Sequence, residues 1–260
     1  MFIPTPKQVG IIYPIELIVG CFISFLISSE TKEYHTKNYY LLRSGNIFNK
    51  VFAYNGNLIW LLLFICIALI QYQLRTNEDP LLPAERRVLT VTRKHKLQIV
   101  KEYFAKFIIK LFLLDLVFLF IDGVFLLTGG SCTVPNRSIS AEKCKKLGGR
   151  WNGGFDISGH FCFLINISMI LWLELSSIGD YLKAQTGVNT FKRVHSYLIS
   201  VILAVLCIWA SLLLVTSIYY HTLPEKIIGC CLGYLCPIVM YYLIPANDDL
   251  KKFFYAYTDR

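Results

Sequence analysis

Residues 196–220 read SYLISVILAVLCIWASLLLVTSIYY, twenty-five positions without one Asp, Glu, Lys or Arg. About 20 mostly apolar residues suffice to cross the roughly 30 Å of bilayer hydrocarbon as a helix. The run is too long for a strand and has no strict alternation of apolar and polar residues. In hydrocarbon a chain must satisfy its own backbone groups, which leaves the helix as the reading. Five further runs resemble it, at about 11–28, 58–74, 104–128, 159–178 and 226–244. The expected fold is therefore an all-α integral membrane protein. It is a six-transmembrane-helix bundle forming a single membrane domain over residues 1–260.

Composition agrees. The 260 residues are 55% hydrophobic and only 17% charged, with a mean hydropathy of +0.52. Soluble domains carry about 25% charged residues, so an ordinary soluble enzyme, a disordered tail and a secreted disulfide scaffold are excluded. A net charge of +9 could suit nucleic acid. No basic stripe with interleaved aromatics lies outside the apolar runs, so the charge is assigned to the membrane surface and nucleic acid is not expected as a partner. The first run has only Lys7 before it and Glu16 within it, and no small-x-small cleavage site follows. It is read as a retained span rather than a signal peptide.

Orientation follows from Lys and Arg in the connecting segments. Fourteen lie on the side of the N-terminus, loops 75–101 and 179–195, and the C-terminal tail, and ten lie on the other. The excess points to cytosolic termini. Cys132 and Cys144 are the only cysteines outside the apolar runs, and both lie in loop 129–158. An oxidising lumen would let them pair. The same loop holds Asn136-Arg137-Ser138, a glycosylation sequon usable only on the lumenal side. Together these features fit a multi-pass protein of the endoplasmic reticulum membrane.

Two histidines carry the chemistry. His160 begins the fourth run, after Ser158 and Gly159, and His221 ends the fifth. The fourth run leads from lumen to cytosol and the fifth returns, so both imidazoles reach the same interface. Such a pair suits phosphoryl transfer: a neutral imidazole attacks phosphorus and an imidazolium protonates the leaving oxygen. Glu225, four residues past His221, is placed to hold the nucleophile's tautomer. Ser158 and the Gly159 amide are candidate donors to phosphate oxygens. His35, His95 and His195 show no such partner pattern.

This arrangement resembles the lipid phosphate phosphatase superfamily, in which a Ser-Gly-His motif is followed by a second His with an acid four residues later. Gly229 falls where that superfamily has a further glycine. The chain departs from it at Leu214 and Val215, which stand where a Ser-Arg pair is expected, and it has no Lys-x6-Arg-Pro motif. Arg150, Lys145, Lys146 and Lys226 are the candidate replacements for the missing basic clamp.

A closer resemblance lies in GGRWNGGFDISGH, residues 148–160. It is similar to the signature of the fat storage-inducing transmembrane (FIT) family. The Cys132–Cys144 spacing, the Tyr219-Tyr220-His221 triplet and, more loosely, Asn46-Ile47-Phe48-Asn49-Lys50 match as well. The short length and the run 158–174 look like the fungal branch. The resemblance implies six spans, an endoplasmic reticulum location and a role in lipid droplet budding and phospholipid homeostasis. It implies hydrolysis of the fatty acyl-CoA pyrophosphate at a lumenal active-site mouth, giving acyl 4′-phosphopantetheine and adenosine 3′,5′-bisphosphate. The family's catalytic histidines carry over to His160 and His221; Ser158, Gly159, Glu225 and Arg150 are the candidate substrate-binding residues, read from the residues themselves. Fatty acyl-CoA is the implied substrate, and neutral lipids and diacylglycerol are the implied membrane partners. No cofactor is expected, and the sequence leaves metal dependence open. The competing reading is a non-catalytic protein that binds diacylglycerol or triacylglycerol and partitions it into droplets.

Charges inside the runs are costly and point to pairing or function. Lys106 and Lys110 match Glu174 in depth, which predicts an ion pair. Asp115 and Asp122 share one face of the third run. Glu16 is expected to be paired or near the cytosolic interface.

Overall fold

The computed structural model describes residues 4–43, 45–76, 93–134, 140–184 and 193–255. The Asn136 sequon and much of loops 75–101 and 179–195 lie outside these residues. The described chain is almost entirely helical. Helix α1 spans Pro6–Leu26, α2 Ser29–Asn38, α3 Gly56–Thr76, α4 Arg93–Leu127, α5 Ala141–Lys146, α6 Gly159–Ala184 and α7 Arg193–Tyr219. Helix α8 spans Leu223–Ala246 and α9 Asp248–Phe254.

Five of these, α1, α3, α6, α7 and α8, are long and apolar enough to cross a membrane. The protein is accordingly a multi-pass membrane protein. The remaining expected span lies within α4, where Lys106, Lys110, Asp115 and Asp122 interrupt the apolar run.

Local sequence sets the helix ends. Thr5 caps α1: the Thr5 amide donates to Gln8 Oε1 at 2.9 Å and the Gln8 amide to Thr5 Oγ1 at 3.5 Å, with Pro6 at the first turn. Ser28 accepts from the Thr31 amide and starts α2. That helix is polar all round and buries none of its residues.

Helix α6 is the central strut. Nearly every side chain from Phe161 to Ile178 is buried, and α6 packs on α8, α7, α3, α1 and α4. The surrounding helices bury single stripes. In α1 the stripe is Val9, Tyr13, Leu17 and Gly20; in α3 it includes Trp60, Phe64, Ile67, Gln71 and Leu74. Their other faces expose large apolar groups such as Ile18, Phe22, Leu62 and Leu69, as lipid-facing helices do.

The most extensive packing is α6 against α8, two parallel helices that start at the same end of the bundle. A Cβ on Gly229 would lie 2.6 Å from the Ser158 carbonyl oxygen, and one on Gly233 would lie 2.8 Å from Ile165 Cβ. The two glycines, four apart, let the backbones meet. In lipid, close backbone approach replaces the hydrophobic effect as the source of helix association.

The opposite end holds a buried charge network. Lys106 Nζ lies 2.7 Å from Glu174 and 2.8 Å from Glu102, which also accepts from Arg75 at 2.9 Å. Tyr103 and Tyr241 donate to Glu174 at 2.8 and 2.6 Å. The expected pairing therefore holds for Lys106 but not for Lys110, whose ammonium turns the other way and donates to Asn57 Oδ1. One turn of α4 separates the two lysines, but each four-carbon stem follows its nearest acceptor. Glu16 is half-buried, and its Oε1 has no hydrogen-bond partner among the described residues. Asp115 is exposed and Asp122 half-buried.

Candidate active site

Loop 129–158 reaches the start of α6 through a stapled hairpin. Strands β1 (Ser131–Cys132) and β2 (Trp151–Asn152) pair antiparallel, with Cys132 opposite Trp151. A disulfide joins Cys132 to Cys144. Trp151 stacks on Phe125 of α4 with ring centroids 4.4 Å apart. The Phe155 amide donates to Thr128 Oγ1 at 2.6 Å. Gly154 has φ 61°, and a Cβ there would lie 2.5 Å from the Phe125 carbonyl. The turn thus presses on the end of α4 and delivers Asp156, Ile157 and Ser158 to the first turn of α6.

His221 joins this segment from the α7–α8 corner. Its Nδ1 lies 3.0 Å from the Asp156 carbonyl oxygen, 3.7 Å from Asp156 Oδ2 and 3.8 Å from Glu225 Oε2. A carbonyl only accepts, so Nδ1 carries a proton, and in the neutral ring Nε2 keeps its lone pair. His221 is the one non-glycine among the described residues with positive φ, at 58°. A side chain in this region is uncommon, and such strain persists where surrounding contacts over-determine it. Here Tyr219 ends α7 and the cap of α8 begins at Thr222, leaving the corner two residues in which to turn.

Glu225 ties the pieces together. Its Oε2 accepts from the Thr222 amide at 2.7 Å, closing the cap of α8, and Oε1 accepts from the Asp156 amide at 3.1 Å. Its main-chain oxygen accepts from the Ser158 amide at 3.2 Å. One residue thus holds its own helix, the loop before α6 and the rim around His221. The Asp156 carboxyl is raised above its ordinary value, first by desolvation and then by Glu225, against the opposing effect of His221.

His160 lies in the first turn of α6, half-buried, and Tyr54 meets its ring edge-on at 6.3 Å between centroids. The Asp156 carbonyl that receives His221 is four residues upstream of His160. Both histidines therefore belong to one end of the bundle, joined through the 156–160 segment. Ser158 is fully buried, and its Oγ accepts from the Phe161 amide at 3.5 Å, the position of a helix cap. Gly159 is partly open, with only Phe118 near a Cβ at 3.5 Å.

Arg150 lies in the hairpin, between the disulfide and β2. It is exposed, its backbone pairs with Thr133, and its guanidinium forms no ion pair among the described residues. Lys226 is 3% exposed and donates to the Ser217 carbonyl at 2.6 Å, neutralising the C-terminal end of α7. The sequence reading had no role for Asp156 or Tyr54. A main-chain acceptor leaves no trace in residue type, and Tyr54 meets His160 only through the fold.

Comparison with known proteins was made with these features in view. The family profile described as fat storage-inducing transmembrane protein matches residues 37–197 and 183–241. The chain is 38% identical to acyl-coenzyme A diphosphatase YFT2 of Saccharomyces cerevisiae, covering 96% of each. It is 32% identical to acyl-coenzyme A diphosphatase fit1 of Schizosaccharomyces pombe over 50% of this chain and 52% of that one. Against acyl-coenzyme A diphosphatase FITM2 of Xenopus tropicalis the identity is 29% over 52% of each. No solved structure matches. With a profile running through the hairpin, α6 and α8, and a fungal relative aligned almost end to end, the chain belongs to the fat storage-inducing transmembrane protein family.

Proposed function

We propose that the protein is a fatty acyl-CoA diphosphatase of the endoplasmic reticulum membrane. It is a single six-span domain with cytosolic termini and a lumenal site. It hydrolyses the acyl-CoA pyrophosphate to acyl 4′-phosphopantetheine and adenosine 3′,5′-bisphosphate, in support of lipid droplet budding and phospholipid homeostasis. The observation that carries the reading is His221 Nδ1 fixed 3.0 Å from the Asp156 carbonyl, which frees Nε2 at the end where His160 begins α6.

In this reading Nε2 of His221 attacks one phosphorus of the diphosphate. The P–O bond to the second phosphate breaks, and His160 gives its proton to the leaving oxygen. The phosphohistidine carries positive charge on the ring, which Glu225 and Asp156 stabilise. Water then attacks phosphorus, His160 takes the water's proton, and the P–N bond breaks to regenerate His221. In the same reading the diphosphate lies at the end of the bundle where the parallel α6 and α8 begin, and the two helix N-termini there favour its negative charge. Because Ser158 caps α6, the donors to phosphate oxygens are assigned to the first-turn amides, that of Gly159 first. The acyl chain remains among the lipids, with diacylglycerol and neutral lipids as membrane partners.

The test uses protein purified in detergent and oleoyl-CoA, with adenosine 3′,5′-bisphosphate release as the readout. Wild type should release it, and folded His221→Asn and His160→Ala should not. No release by wild type would return the protein to lipid binding without catalysis. Full activity in either variant would displace the site.

A further inference from the structure

The chain lacks the Lys-x6-Arg-Pro and Ser-Arg elements that serve as a basic clamp in lipid phosphate phosphatases. One cation inside the bundle is unused. Lys110 is fully buried, and among the described residues its ammonium touches no carboxylate. It donates to Asn57 Oδ1 and lies over the Trp60 ring at 4.3 Å and near the Phe163 ring at 6.0 Å. Lys106, one turn away on the same helix, is neutralised by Glu102 and Glu174. Asp115, five positions along α4, points about 140° around the helix from Lys110 and is exposed. A buried ammonium with no carboxylate in contact is costly at this depth and points to a function.

Its position relative to the histidines can be traced through contacts. Tyr54 meets His160 at the rim. Phe163, the next residue on that side of α6, lies 2.8 Å from the position of a Cβ on Gly56. Lys110 reaches Asn57, the following residue of α3, beside that same Phe163. Phe118 of α4 lies level with Gly159. The Lys110 backbone is therefore about 12 Å deeper along α4. Its stem turns back toward the His160 end, because Asn57 lies in the first turn of α3.

We propose that Lys110 is the phosphate-clamping cation of this site. When a diphosphate enters, the ammonium leaves Asn57 for a non-bridging oxygen of the phosphate that His221 does not attack. No covalent bond changes in this step; one neutral hydrogen bond is exchanged for a charge-assisted one. A lysine suits the task, because a compact charge on a flexible stem can retract among aromatic faces when the site is empty. The proposal rests on the diphosphatase reading and deepens it.

The experiment measures binding rather than turnover. Wild type and Lys110→Met are purified in detergent, and thermal melting is followed against inorganic diphosphate concentration. Lys110→Met should melt close to wild type without ligand, since the lost hydrogen bond to Asn57 is offset by removal of a buried charge. Its affinity for diphosphate should fall at least about tenfold. A smaller loss, or no diphosphate-dependent stabilisation of wild type, overturns the proposal. If Lys110→Met does not fold, Lys110→Gln keeps a donor for Asn57 and carries the same comparison. Oleoyl-CoA hydrolysis by wild type, run alongside, judges the diphosphatase reading separately.

Discussion

Replacing Glu225 by Gln preserves shape and removes one charge. The carboxylate accepts from the Asp156 and Thr222 amides at 3.1 and 2.7 Å and stands 3.8 Å from His221 Nδ1. A glutamine has one carbonyl oxygen, so one of the two amides faces an NH2 group. Losing a cap bond costs about 1 kcal/mol, and stranding a partly buried amide costs about 1 to 3. We expect a stability loss of about 2 kcal/mol. The rate suffers separately. A unit charge near 4 Å is worth about 4 kcal/mol at an effective dielectric of 20. The Asp156 carboxylate, 3.7 Å from the same nitrogen, retains part of that effect. About 2 kcal/mol of transition-state stabilisation remains to be lost, which is roughly thirtyfold in kcat/KM. Adenosine bisphosphate release from oleoyl-CoA and a detergent melting curve measure the two effects. A Glu225→Gln variant within twofold of the wild-type rate would refute the claim that this carboxylate holds the His221 corner and stabilises the positive phosphohistidine ring.

His221→Gly and His221→Ala should both be inactive, but the alanine variant should melt lower. Its Cβ in a left-handed backbone costs about 1 kcal/mol that glycine avoids. Equal melting temperatures would remove the strain. Gly229→Ala should lose about 1 to 3 kcal/mol and most activity, because its Cβ would meet the Ser158 carbonyl. Wild-type melting and turnover in that variant would show that α8 can move away from α6 without harm. The native state holds the Asp156 proton more tightly than the unfolded chain does, so this group's contribution to stability falls as pH climbs from the ordinary aspartate range through its raised value. Asp156→Asn should flatten that slope in melts across the acid range. An unchanged slope would assign the pH dependence to another group.

Hydropathy made the helices legible, since a membrane leaves an apolar run of twenty residues little choice but to coil. It could not separate α6 from α1, α3 and α7, because lipid and protein interior are alike in polarity; only packing shows that α6 is surrounded and the others face outward on one side. The ion pair of Lys106 was readable from matched depths along two helices. The divergence of Lys110 was not, because depth says nothing about which way a long side chain turns.

The motif around His160 and the acid after His221 were written in residue types, and residue types are what a sequence records. The tautomer of His221, the left-handed turn beneath it and the grip of Glu225 on the 156–158 segment depend on main-chain carbonyls and amides, which every residue has and no sequence distinguishes. Sequence alone determined that this chain lies in a membrane and singled out two histidines as candidates for one site. The tertiary structure alone decided how they are held, because that rests on the close approach of backbones from segments sixty-five residues apart.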